Sequence, residues 1–161
     1  LYKNNKIVGD IRLKEHSNNE SLASVTTKKC FENFSKPDIL SGFTCTNCDK
    51  TCDHSNVYSV AISPKILIIQ IKRFKMGQTK NNTSIELDHN LIIKTENGDI
   101  NYKLKTLVNH VGNEAHYGHY YTLTFDNDLK TWIELNDECV SMCNEENINK
   151  SEIYLLMYEK M

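Results

Sequence analysis

The chain has 161 residues, with 19 Lys plus Arg against 21 Asp plus Glu, for a formal net charge of −2. That length corresponds to about one domain with room for a sizeable core, and without a basic excess a mainly electrostatic nucleic-acid binder is not expected. There is no run of about 20 apolar residues to span a bilayer, and no apolar opening segment to act as a secretory signal, so neither a membrane partner nor export is expected. A first residue of Leu1, rather than Met, is what a fragment or a processed product would show.

Residues 1 to 24 are polar and Asn-rich, with Ile7 and Val8 as a short apolar touch before Gly9, and read as strand fragments or loop. Residues 25 to 35 carry Phe31 and Phe34 three apart with Cys30 beside them, which is one face of a short helix. Lys36-Pro37 ends it, because the residue before proline avoids the α region. Residues 41 to 56 set their cysteines among Ser, Thr, Asn and Asp, the chemistry of a loop or knuckle. Residues 57 to 62 alternate and read as a strand. After Ser63-Pro64-Lys65, residues 66 to 71 form a β-branched run whose length suits a central strand buried on both faces. Residues 75 to 83 read as a polar loop, 84–87 and 91–94 as short strands, and Asn97-Gly98 as a hairpin turn. Strands at 102–111, 120–125, 132–135 and 153–158 complete the set, with Asp126-Asn127-Asp128 as a turn. The expectation is an α+β domain, mainly antiparallel sheet with one clear helix.

Six cysteines are present: Cys30, Cys45, Cys48, Cys52, Cys139 and Cys143. An even count fits disulfides in a secreted protein. Here no export signal is seen, the apolar content suffices for a core without staples, and Cys45-Thr46-Asn47-Cys48 has the spacing of a metal knuckle. A reduced, intracellular setting is therefore expected. The triplets Asn-Phe-Ser at Asn33 and Asn-Thr-Ser at Asn82 are the one counter-signal.

The stretch from Asn109 to Tyr121 carries the chemistry. It places His110, His116 and His119 within ten residues, around a short polar loop between two strands. Gly118 directly before His119 allows the backbone to approach a neighbour closely or to take a positive φ. A histidine at the first position of a strand is held by a rigid element while its ring stays accessible, and its ordinary pKa near 6.5 suits general acid–base work. Such a base needs a third group to orient its Nδ1–H. Asn136-Asp137, just beyond residues 132–135, is the candidate that a neighbouring antiparallel strand would supply. A metal set of the three histidines lacks an obvious fourth ligand.

The order of motifs then resembles a known family. Phe43-Thr44-Cys45-Thr46-Asn47-Cys48, the run from Ser63 to Phe74, Tyr102-Lys103-Leu104, Asn109-His110-Val111-Gly112, Gly118-His119-Tyr120, Trp132-Ile133-Glu134-Leu135-Asn136-Asp137 and the segment from Ile153 to Tyr158 follow one another as in the C-terminal half of the ubiquitin-specific proteases. The resemblance runs from about residue 25 to the end. It implies a papain-like cysteine peptidase, palm and fingers portion, acting on ubiquitin or ubiquitinated proteins after the C-terminal glycine of ubiquitin, with residues 1–60 as helix and fingers and 61–161 as palm. It implies His119 as general base, Asn136 as third triad member and Asp137 as the adjacent polar residue. Loop 112–118 would line the cleft for the ubiquitin tail, with Gly112, Tyr117, Gly118 and Tyr120 as substrate-binding positions. Trp132 and Tyr120 would pack behind the site.

Two features depart from that family. Its nucleophilic cysteine opens a helix near the start of the domain, and no such sequence occurs here. Cys30 matches a packing position, and Cys139 and Cys143 read as structural or incidental, so the chain is expected to be inactive alone, with the thumb segment supplied in cis or in trans. The family also uses two cysteine knuckles, and only Cys45 and Cys48 are present. The resemblance implies that catalysis needs no cofactor. A structural zinc would have to complete its four ligands with Cys52 and His54. Three functions compete: a ubiquitin-directed cysteine protease, a catalytically inactive ubiquitin-binding or scaffold member of the same fold, and an unrelated zinc-knuckle domain. The His119–Asn136 pair favours the first, and requires the two side chains about 2.6–3.2 Å apart.

Overall fold

The computed structural model describes residues 8–12, 25–74, 79–95 and 98–161. Among the described residues the chain is mainly antiparallel sheet with one α-helix, the α+β class expected. Strands are numbered here in chain order. Thr26, at the end of β2 (Val25–Thr26), caps helix α1 (Thr27–Phe34). Its Oγ1 accepts from the Lys29 amide at 3.1 Å, satisfying one donor that a helix start leaves open. The Ser35 amide donates back to the Phe31 carbonyl at 3.1 Å, and the helix stops before Pro37 as the sequence requires. Cys30 is on the buried face of α1, while Phe31 and Phe34 pack partly buried against the core.

One sheet organises the rest. Its strands lie in the order β1 (Val8–Arg12), β5 (Ile66–Lys72), β12 (Ile153–Lys160), β8 (Gly98–Val111), β9 (His119–Asp126), β10 (Thr131–Asn136) and β11 (Cys139–Cys143), and β7 (Asn90–Thr95) pairs with the first part of β8. Directly opposed residues point to the same side. Ile69 opposes Leu156, Leu156 opposes Leu107, and Leu107 opposes Leu123, so one fully buried row crosses four strands. Burying a side chain of this size stabilises by about 1.5–3 kcal/mol. That row fixes the registers on which the far end of the sheet depends.

Arg73, just beyond β5, is a buried cation with four bonds to backbone carbonyls. Its Nε donates to Ile153 at 2.6 Å, Nη1 to Asn81 at 2.8 Å and Thr83 at 2.9 Å, and Nη2 to Lys150 at 3.2 Å. It stitches the segment before β6 (Ile85–Glu86) to the start of β12. Burial pulls its pKa down to about 10, and burial pushes the neighbouring Cys30 thiol up to about 11.

The structure corrects several expectations. Residues 41–56 are not an irregular knuckle but most of a hairpin, β3 (Asp38–Thr44) with β4 (Thr51–Asn56), bulged at Gly42, whose φ is +72°. The two strands form a sheet of their own without a long apolar alternation, so period 2 was not visible in the sequence. Residues 57–62 alternate yet form no strand. Val60 alone is buried there, and Tyr58 stacks on Phe34 with ring centroids 5.0 Å apart. β5 is not buried on both faces: Leu67, Ile69 and Ile71 are buried while Ile66 is exposed and Ile68 and Gln70 are intermediate. β11 was not expected, since its residues are exposed or only partly covered. β1 and β2 pair in parallel, with β5 and β6 respectively. Residues 75–78 and the Asn97 half of the expected turn lie outside the described residues, but Thr95 opposes Gly98, as a hairpin there requires.

Replacing Arg73 by Met removes all four donors at once. Each buried carbonyl left without a partner costs roughly 1–3 kcal/mol. The Arg73→Met protein is expected to lose about 3 kcal/mol or more in urea unfolding, with amide protection lost first at the start of β12 and around Asn81.

Candidate functional site

Two hairpins meet at one end of the sheet. Val111 opposes His119 and Asn109 opposes Tyr121 across β8 and β9, while Leu135 opposes Thr122 across β10 and β9. Continuing that register by one residue sets Asn136 level with Tyr121, and so diagonal to His119, two residues further along β9. Diagonal neighbours on one face lie about 7–8 Å apart at the backbone, within reach of long side chains. His119 Nε2 is 2.6 Å from Asn136 Oδ1, inside the range the sequence reading required. The Asn136 amide in turn donates from Nδ2 to Glu134 Oε1 at 3.4 Å, which turns its oxygen toward the ring. An amide oxygen only accepts, so the ring carries its proton on Nε2, and in neutral imidazole Nδ1 is left as the basic atom. The sequence reading had assigned the oriented N–H to Nδ1. The diagonal approach brings the far nitrogen of the ring to Asn136 instead.

His119 is exposed and Asn136 half-buried. Asp137 opens the two-residue turn between β10 and β11 at φ +52° and takes no part in the bonds that link His119, Asn136 and Glu134. Glycine is needed twice in the loop between β8 and β9. A Cβ on Gly118 would stand 2.2 Å from His110 Nε2 and 2.6 Å from the Val111 carbonyl, so the close-approach role holds there. Gly112 has φ +133°, and its Cβ would meet the Tyr117 carbonyl at 2.9 Å. Tyr117 itself is exposed. Trp132 is buried, as expected, with its ring edge-on to Phe125 at 5.5 Å. Tyr120 is not: it is 49% exposed, with its ring tilted against His110 at 4.6 Å and near Tyr154 at 5.8 Å. It sits on the opposite face of β9 from His119 and Tyr121, where the sheet has less to cover it.

The three histidines have three different surroundings. His116 is exposed on the loop. His110 is 1% exposed beneath Gly118, ringed by Phe74, Tyr120 and Tyr154, with neither ring nitrogen hydrogen-bonded. Burial, helped by the Lys80 ammonium that bonds its carbonyl, holds its pKa below the ordinary value. Sequence reasoning missed Glu134, Phe74 and Tyr154 here. Glu134 is two positions before Asn136 on a strand, a spacing that shares a face. Phe74 and Tyr154, packed against His110, come from the segment after β5 and from β12, which no local pattern reveals.

Cys45 and Cys48 meet side chain to side chain, and no larger cluster forms around them among the described residues. At the tip of the β3–β4 hairpin the amides of Asn47 and Cys48 donate to Cys45 and lower its pKa, while Cys52 Sγ and His54 Nε2, on β4, are 4.0 Å apart. Among the described residues no group of three or more His, Cys, Asp or Glu could hold a metal ion. Cys45, Cys48, Cys52 and His54 as they stand do not fit a four-ligand zinc site. Burial raises the pKa of both Cys30 and Cys143.

Comparison with known proteins bears on the same segment. The family model for ubiquitin carboxyl-terminal hydrolase matches residues 12–158. Ubiquitin carboxyl-terminal hydrolase cyk-3 of Caenorhabditis elegans is 32% identical over 150 residues, 86% of this chain and 12% of that protein. Ubiquitin carboxyl-terminal hydrolase 8 of Saccharomyces cerevisiae is 30% identical over 81% of this chain and 31% of its own. The chain thus spans less than a third of the length of either relative. Among solved structures, the SAGA Ubp8/Sgf11/Sus1/Sgf73 DUB module bound to ubiquitin aldehyde matches with a TM-score of 0.76 at 26% identity, over 94% of this chain and 35% of that one. The architecture is the papain-like one, in its mainly β portion.

Two outcomes follow from the titrating groups. Iodoacetamide at pH 7.5 should alkylate Cys45 before Cys30, read by peptide mass spectrometry, because thiolate fraction and access both favour the hairpin tip. A histidine held below its ordinary pKa supports the fold above about pH 6.5 and withdraws that support as pH falls through its folded value. Protection factors for β8 and β9 amides should therefore fall between pH 7 and pH 5, and fall less in His110→Leu.

Proposed function

The chain belongs to the ubiquitin carboxyl-terminal hydrolase family, and from that premise we propose that it is the general-base half of a cysteine-type deubiquitinase. Residues 1–60 would form the helix and fingers and 61–161 the palm. The nucleophilic thiol would come from a thumb segment outside these 161 residues, in cis or in trans. The observation that carries this reading is the contact of His119 Nε2 with Asn136 Oδ1 at 2.6 Å, on an imidazole that is otherwise open to solvent.

In this reading His119 Nδ1 takes the proton of the incoming thiol. The thiolate attacks the carbonyl carbon of the C-terminal glycine of ubiquitin, and the same nitrogen returns the proton to the departing amine. Asn136 orients the ring through its amide oxygen without adding a negative charge, and Glu134 keeps that oxygen turned inward. Asp137 would be the adjacent polar residue, directly after Asn136 at the turn. Gly112, Tyr117, Gly118 and Tyr120 form the rim against which an extended glycine-ended tail lies. The two glycines keep the loop folded flat on His110 so that a side-chain-free tail has room. No cofactor takes part, and the work would be carried out inside the cell.

The test uses the full-length protein and a ubiquitin carrying a C-terminal electrophile. Labelling of one cysteine outside residues 1–161 is expected. His119→Ala should lower kcat/KM on a ubiquitin conjugate by about 10²–10⁴-fold, and Asn136→Ala by on the order of 10²-fold, through misplacement of the ring. No labelling at any cysteine, with ubiquitin binding retained, would turn the assignment to the inactive scaffold.

A further inference from the structure

The last strand of the sheet has an open edge. Among the described residues β11 pairs only with β10, and Val140 and Met142 are 68% and 70% exposed. Asn136 and Cys139 flank a two-residue turn and so form the hydrogen-bonded pair that closes the hairpin, after which bonded and non-bonded pairs alternate. The N–H and C=O groups of Val140 and Met142 therefore point away from β10. Exposed edges of this kind are usually blunted by lysine or proline, and β11 contains neither. Val140 and Met142 share their face with the exposed Leu135, so alternate side chains of an added strand would find apolar footing.

The flanks of β11 are acidic in sequence, with Glu145 already bonded to His89 at 3.0 Å and accepting from the Trp132 indole N–H at 3.4 Å. Residues 137–146 contain Asp137, Glu138, Glu145 and Glu146 and no Lys, Arg or His. A second copy pairing antiparallel through β11 would set Asp137 and Glu138 against Glu145 and Glu146, acid on acid. The occupant that the edge favours is therefore another protein.

We propose that β11 is a docking edge for an extended segment of a partner protein, with Lys or Arg at both ends and small apolar residues at alternate positions, added as a further strand. Backbone bonds would give the attachment, and the acidic flanks would select the partner. The added strand would lie three strand spacings, about 14 Å, from β9. It therefore leaves His119 uncovered and is independent of the hydrolytic assignment.

The full-length protein, methyl-labelled, is titrated with the synthetic peptide Arg-Lys-Thr-Val-Thr-Val-Thr-Lys-Arg. Shifts are expected at the Val140 and Met142 methyls, with binding that weakens as salt is added. Glu138→Lys combined with Glu146→Lys should weaken it by about three- to tenfold. N-methylation of alternate peptide amides should abolish it. Val140→Pro removes an outward N–H without breaking a β10 bond, and should abolish it too while β10 shifts stay unchanged. Failure to bind at millimolar peptide, binding indifferent to N-methylation, shifts confined to residues around His119, or dimerisation through β11 without peptide would each overturn the proposal. Labelling by the ubiquitin electrophile is read on the same sample, so failure of one assignment is visible separately from failure of the other.

Discussion

Leu123 and Trp132 are buried on one face of adjoining strands, and their burial fixes how β9 lies on β10. Side chains alternate across a sheet with a period of two, so a slip of one residue would turn both outward and send His119 to the other face. The register is held by several kcal/mol of apolar burial, while the hydrogen bond between His119 and Asn136 is worth far less. The polar pair is thus placed by the core rather than by its own attraction. An exposed imidazole and a half-buried amide can hold 2.6 Å because neither has to order the strand it sits on. Glu134 repeats the logic at the next position along the same face, where it ends the row that begins at Ile69.

Around that register the molecule uses buried polar groups sparingly. Arg73 places four of its five N–H donors on carbonyls, and Asn109 donates to Tyr121 and to the Asn149 carbonyl. Among the described residues the exceptions are Asn109 Oδ1 and His110, and His110 is a ring packed as if it were aromatic hydrocarbon, with two nitrogens left without bonds. Its position explains its tolerance: the ring is the floor on which Gly118 rests, and flatness matters there more than polarity.

Much of this was legible in the sequence. The helix, its stop at Pro37, and the strands around residues 102–111, 120–125, 132–135 and 153–158 follow from apolar spacing, because each buries one face. The nearness of His119 and Asn136 followed from two strands joined by a short turn. What was not legible has physical causes. The β3–β4 hairpin forms a separate sheet and β11 is largely exposed, so neither writes a clear period into its residues. Residues 57–62 have the period without a partner strand to receive it. The nitrogen that meets Asn136 depends on a diagonal offset that only coordinates reveal, and the exposure of Tyr120 depends on what fails to cover it.

The position of β12 carries a consequence for biosynthesis. It is the last of the described strands in sequence, yet it lies between β5 and β8. Until its eight residues have been made, those two strands show bare, apolar margins, with the eighty residues of chain between the end of β5 and the beginning of β12 already free to mispair. Long-range pairing of this kind is slow and prone to aggregation. Closure of this part of the sheet waits on β12, and a chain cut before Ile153 leaves β5 and β8 unjoined.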